Sequence, residues 1–159
     1  MTENKVYSRI AEFWQERRVL WSLEGLPESL HPDDRRFLSE VGLPDPGHEY
    51  YWSFKFIAGL PETANGLRLG DDEGSPILLT ASDRTVVIAK GHESWFLNSS
   101  VGQLGRFLTV FAEAEDRIDE MTEAEGEREL RRYREELKAV DPKAFEGPRR
   151  VWRELLVGP

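Results

Sequence analysis

Tyr50-Tyr51-Trp52-Ser53-Phe54-Lys55-Phe56-Ile57 decides how the chain is read, because here the spacing of apolar residues changes. The stretch is rich in aromatic and β-branched residues, which suit a pleated, half-buried strand. Trp52, Phe54 and Phe56 share one face at the two-residue period of a strand. Downstream, Pro76–Thr80 carries Ile77-Leu78-Leu79 and Thr85–Ala89 carries Val86-Val87-Ile88, with Ser82-Asp83 between them suited to a hairpin. Ser94–Leu97 adds a further strand. Asn65-Gly66 and Gly70-Asp71-Asp72-Glu73-Gly74 read as turns, with Gly66, Gly70 and Gly74 as turn residues. Connections this short leave no room for helical crossovers, so the region from Tyr50 to Leu97 is expected to form a mostly antiparallel sheet.

Working outward, both flanks are helical. Val6, Ile10, Phe13 and Trp14 fall at helical spacing, with Lys5, Arg9, Glu12 and Glu16 between them, and the helix should end near Arg17-Arg18. Val19-Leu20-Trp21 is a short strand or a packed loop. A second helix starts at Pro32 with His31 as cap, and Asp33 and Asp34 favour its positive end. Phe37, Leu38 and Val41 give it an apolar face; Gly42 can take the left-handed stop and Pro44 prevents continuation. Beyond the sheet, Val101, Leu104, Leu108 and Phe111 line one face of a helix capped by Ser99 or Ser100. Thr122 and Glu125 have capping-box spacing, with Leu130, Tyr133 and Leu137 following. Asp141-Pro142 can open a last helix carrying Phe145, Val151 or Trp152, and Leu155. Helices, then strands, then helices predict an α+β fold. One domain over residues 1–159 is expected, its mostly antiparallel central sheet flanked by N-terminal and C-terminal helices. The stretch Glu113–Glu129, with nine acids and two arginines, reads as a solvated helix-loop-helix surface.

Composition narrows the function. A length of 159 residues is enough to bury a core without a metal or a disulfide, and there is no cysteine to supply either. That removes thiolate metal sites, iron–sulfur clusters and cysteine nucleophiles. Net charge is −9, a field that repels a phosphate backbone, so nucleic acid is not an expected partner; a basic protein is attracted by the same field. The N-terminus opens no apolar signal core and no apolar run spans a membrane, so a cytoplasmic protein without membrane contact is expected.

No reaction centre is apparent. His31, His48 and His92 are scattered, and none lies one helical turn from another. There is no Gly-x-Ser-x-Gly elbow and no phosphate loop. Asp71-Asp72-Glu73 lacks the ligand pattern of a calcium loop. No catalytic residue, cofactor or metal is therefore expected. Two features could contact a protein partner. Asp71, Asp72 and Glu73 form an acidic knob, whose alternative is a solvated turn. Trp95 is a candidate aromatic anchor, whose alternative is core packing. Asn98-Ser99-Ser100 reads as a polar corner that leaves a strand and caps the next helix.

Several stretches, in order, resemble the SUKH superfamily, and its fourth, actinobacterial family in particular. They are Leu26-Pro27 with Arg35-Arg36-Phe37-Leu38-Ser39-Glu40-Val41-Gly42-Leu43-Pro44; the pair Ile77–Thr80 and Thr85–Ile88 preceded by Leu69-Gly70-Asp71; and Phe96-Leu97-Asn98-Ser99-Ser100 leading to Leu104 and Phe107. Asp141-Pro142-Lys143-Ala144-Phe145 with Trp152 resembles the family's C-terminal end. The resemblance implies an α+β domain that serves as an immunity protein, binding and blocking a cognate polymorphic toxin, often a nuclease, without turnover. It carries over no catalytic residue, and Phe37, Leu38, Gly42, Pro44 and Asn98 would be structural. Two other readings stand beside it: a general protein-binding scaffold of the same fold, and a hydrolase working through paired carboxylates, for which the spacing picks out no pair.

Overall fold

The N-terminal apolar stripe forms helix α1, Glu3–Trp14, which buries Ile10 and Trp14. It stops a few residues before Arg17-Arg18, because Gln15 leaves helical geometry at φ 50. A computed structural model describes residues 2–45, 47, 50, 52–146, 151 and 152 of the chain. Strand β1, Arg18–Val19, pairs antiparallel with β2, Leu43–Pro44. Between them lies α2, Pro32–Arg36, whose first turn is capped as expected: the His31 Nδ1 accepts the Asp33 backbone N–H at 3.2 Å. The helix widens into a π turn over Phe37–Val41, and the Gly42 N–H closes it on the Phe37 carbonyl at 2.8 Å. Gly42 has φ 77, and a Cβ there would stand 2.4 Å from the Val19 carbonyl oxygen, so both its conformation and the β1 backbone beside it demand glycine.

The middle of the chain is an antiparallel meander in sequence order: β3 Phe54–Phe56, β4 Gly66–Asp72, β5 Ser75–Thr80, β6 Val86–Lys90 and β7 Glu93–Asn98. Trp52, Phe54 and Phe56 are all buried while Lys55 is exposed, which is the alternation their spacing predicts. Tyr51, His48 and Glu49 lie outside the described residues. Gly66 closes the turn from Thr63 through Asn65, as expected, and opens β4, whereas Gly70 is not a turn residue: it lies inside β4. At Gly70 a Cβ would stand 2.0 Å from the Lys55 carbonyl oxygen, so glycine here lets β3 and β4 approach, with a bulge between Arg68 and Gly70. The turn is confined to Glu73-Gly74, both at positive φ, as a two-residue hairpin connection requires.

Leu67, Leu69, Ile77, Leu79, Val86, Ile88 and Leu97 belong to the same buried cluster as Phe107, Leu108 and Phe111 of α3, Val101–Ile118. Ser100 caps α3, its hydroxyl accepting the Gln103 N–H at 3.1 Å. Helix α4, Glu123–Val140, opens on the expected Thr122–Glu125 capping box and contributes Tyr133 and Leu137 to the core. The Asp141-Pro142 start gives a short 3-10 turn, Pro142–Phe145, in place of a full helix. Trp152 is fully buried; Leu155 lies outside the described residues. The architecture is α+β, with helices before and after one antiparallel sheet.

The corner after β7 is tied to the chain's C-terminal part. Asn98 is buried; its Nδ2 donates to Asp141 Oδ2 at 3.2 Å, and its Oδ1 accepts the Trp152 indole N–H at 3.2 Å. The Ser99 backbone N–H and hydroxyl both donate to the same carboxylate at 2.7 Å. Asp141 is thus a buried carboxylate with its acceptor capacity well used, which is how a buried charge is tolerated.

Candidate protein-binding surface

The four residues expected to meet a partner are gathered at one end of the sheet, but they do not have the same freedom. Asp71 and Asp72 close β4, and Glu73 occupies the turn to β5. Trp95 lies on β7 opposite Ile88 and packs partly against the core. Lys90, at the end of β6, joins the two groups. Its ammonium is 3.3 Å from Asp72 and 4.4 Å from the centre of the Trp95 ring. The Trp95 indole N–H donates to Glu93 at 3.0 Å.

Asp72 is only 7% exposed and also accepts a hydrogen bond from the Ser53 hydroxyl. Its charge is thus largely committed inside the protein. Asp71 is half-buried and ion-paired with Arg68. Glu73 is exposed at φ 48 and is the acid of the three most open to solvent. The sequence could not separate these three adjacent acids, because the partners that enclose Asp72, Ser53 and Lys90, lie 19 and 18 residues away and meet it only when the sheet forms.

A second surface has no counterpart among the sequence-based candidates. Between the segment holding Leu23, Leu30 and α2 on one side, and the open end of β4 and β5 on the other, lies a cleft of about 870 Å³. Its far wall is the β5–β6 turn, built by a compact hydrogen-bond set. The Asp83 carboxylate accepts from the Thr80 hydroxyl at 2.5 Å and from the Thr85 hydroxyl at 2.7 Å and backbone N–H at 3.3 Å. Those bonds hold the Asp83 carboxyl below the ordinary carboxylate range. The turn places Arg84 at φ 62 and sends its guanidinium back to α2, where it grips the buried Asp34.

The cleft is apolar where Leu23, Leu30, Leu67 and Leu79 line it, and charged at its edges. Leu23, 54% exposed, and Leu20, 45% exposed, are the large hydrophobic residues left open to solvent among those described. Leu20 does not line the cleft but stands beside the Gly42 stop that closes α2. The signal available in sequence was that the connection from Leu20 to Leu30 carries more apolar residues than Trp21 and Leu26, the two it buries; nothing there revealed that the sheet end would face it.

Among the described residues, no cluster of His, Asp and Glu side chains is arranged to hold a metal ion. His31 caps α2 and His92 is exposed in the β6–β7 turn; His48 lies outside the described residues. No helix among the described residues is long and apolar enough to cross a membrane. The acidic stretch Glu113–Glu129 is the end of α3, the connection and the start of α4, as expected.

The family model described as SUKH-4 immunity protein matches residues 11–157 of the chain. No curated protein and no solved structure gives a significant match.

Proposed function

Because the chain belongs to the SUKH-4 immunity protein family, we propose that it neutralises a cognate polymorphic toxin by forming a stoichiometric complex that blocks it. The match over residues 11–157, nearly the whole chain, carries the reading. The protein acts as a single domain in the cytoplasm, binds without turning its partner over, and needs no cofactor. A basic toxin such as a nuclease suits it best, since a net charge of −9 steers a basic partner toward it.

The knob at the sheet end is assigned to the rim of the complex. Glu73, and to a lesser degree Asp71, contribute field and association rate, while Asp72 and Lys90 keep the hairpin end rigid beside Trp95.

Co-expression tests the proposal. The toxin domain encoded beside this chain's gene should kill when expressed alone and be harmless when this chain is present at equal or higher level. Protection should fall away as the chain becomes substoichiometric, and a one-to-one complex should be isolable. Protection that persists at a small fraction of the toxin's concentration would instead indicate enzymatic detoxification. A complex that forms without protecting would favour a general binding scaffold.

A further inference from the structure

The cleft between α2 and the open end of β4 and β5 has walls that are fixed before any partner arrives. Arg84 bridges them through Asp34, and Arg36 is closed on Glu40 at 3.2 Å. Of the cleft's arginines this leaves Arg35. Its Nη2 donates to the Leu23 carbonyl at 3.3 Å, while its Nε is buried and has no hydrogen-bond partner among the described residues. Arg35 also has no carboxylate paired with it among the described residues, whereas Arg36 and Arg84 each do. A guanidinium offers five donors in a fixed fork; the Nε is enclosed, so it is the open Nη end, paired with no acid among the described residues, that a partner's carboxylate can meet. Beside it, Leu23 is largely exposed, and Leu30, which packs partly against the core, also lines the cleft.

We infer that this cleft is where the protein partner docks, and that the docking segment is a loop carrying one apolar side chain next to one carboxylate. The apolar residue enters between Leu23, Leu30 and the sheet end; the carboxylate meets Arg35. The remaining charges set the number of acids. Glu28 and Glu62 line the same cleft from its exposed edge and repel a second carboxylate, so the segment is not an acidic run. An otherwise basic partner is compatible with this, because the overall field governs encounter and the one buried acid governs fit. The inference deepens the blocking reading and rests on it.

The test uses the full chain and the purified toxin domain encoded beside its gene. Arg35→Glu and Leu23→Asp should each weaken the complex by about 30-fold or more, chiefly by speeding dissociation. Leu23 is largely exposed, so Leu23→Asp should fold and melt like the parent, which keeps the result readable even if Arg35→Glu is unstable. Amide hydrogen exchange should show protection on binding in residues 23–36 and 79–84. A tight complex that leaves those amides unprotected, or that both variants form as well as the parent, overturns the docking assignment alone. No complex at about 10 μM, far above a typical specific affinity, overturns the blocking reading and the assignment with it.

Discussion

The Arg84 guanidinium holds the Asp34 carboxylate through two hydrogen bonds, Nε to Oδ2 at 2.7 Å and Nη2 to Oδ1 at 2.9 Å, across 50 residues of sequence. Asp34 is 2% exposed, while the Arg84 side chain is 39% exposed. The pair therefore consists of a buried anion and a half-open cation, and its two halves should not be equivalent. Removing Arg84 strands a buried charge. Removing Asp34 releases a cation that water can reach.

Arg84→Ala is expected to cost about 2–4 kcal/mol, below the full value for a wholly buried pair because Arg84 is partly solvated. Asp34→Ala should cost less. In the Arg84→Ala background, Asp34→Ala should be neutral or stabilising, since it removes the stranded charge. Urea unfolding of the four proteins gives the coupling. Additive losses would show that the two residues act independently.

Asn98→Asp should be far worse than Asn98→Ala. The amide Nδ2 now donates to Asp141 Oδ2; a carboxylate in its place would set two acids against each other in a buried site. Asn98→Ala takes one donor from Asp141, which keeps both bonds from Ser99, while the Trp152 indole N–H still reaches the Leu97 carbonyl at 3.1 Å; the loss should be about 1–3 kcal/mol. Asn98→Asp at neutral pH should exceed that, and restoring an amide at the facing position with Asp141→Asn should recover part of it. Denaturant midpoints at pH 7 decide the order.

Features set by neighbours in sequence are legible in the chain itself. The His31-Pro32 start of α2, the Thr122–Glu125 capping box and the Gly42 stop each depend on groups within a few residues. The Asn98 corner was readable too, though its partners Asp141 and Trp152 were not. What failed depends on strands meeting. Gly70 looked like a turn residue because its reason, the Lys55 carbonyl, lies 15 residues away and appears only when β3 pairs with β4. The acids Asp71, Asp72 and Glu73 looked alike for the same reason, and the cleft was invisible because its walls join through Asp34 and Arg84.

The β5–β6 turn should respond to acid. The Thr80 and Thr85 hydrogen bonds favour the charged form of Asp83, so its folded pKa lies below the ordinary value of 3.8. A carboxyl depressed on folding adds stability that is fully present above its unfolded pKa and is lost as pH falls through the lower folded value. The parent should therefore melt above Asp83→Asn at pH 6, and the gap should narrow as pH drops below 3.8. A gap that stays constant across that range would mean that the charge of Asp83 is immaterial to the turn.

Glu73 and Asp72 are adjacent acids that should separate stability from association. Asp72 is enclosed by Ser53 and Lys90, so Asp72→Ala removes a part-buried ion pair and frees the ammonium that sits over Trp95. It should lower the unfolding free energy by about 1–2 kcal/mol and shift tryptophan fluorescence. Glu73 is exposed and stands at φ 48, a conformation that costs a non-glycine residue roughly 1 kcal/mol. Glu73→Gly should then fold as stably as the parent or slightly more so. It also deletes a charge from the rim, so association with a basic toxin should slow while dissociation is unchanged, and the difference should shrink as salt rises. Stopped-flow mixing at low and high salt, set beside thermal melts, reads both effects. A Glu73→Gly protein that associates as fast as the parent at low salt would take the hairpin tip out of the encounter with the toxin.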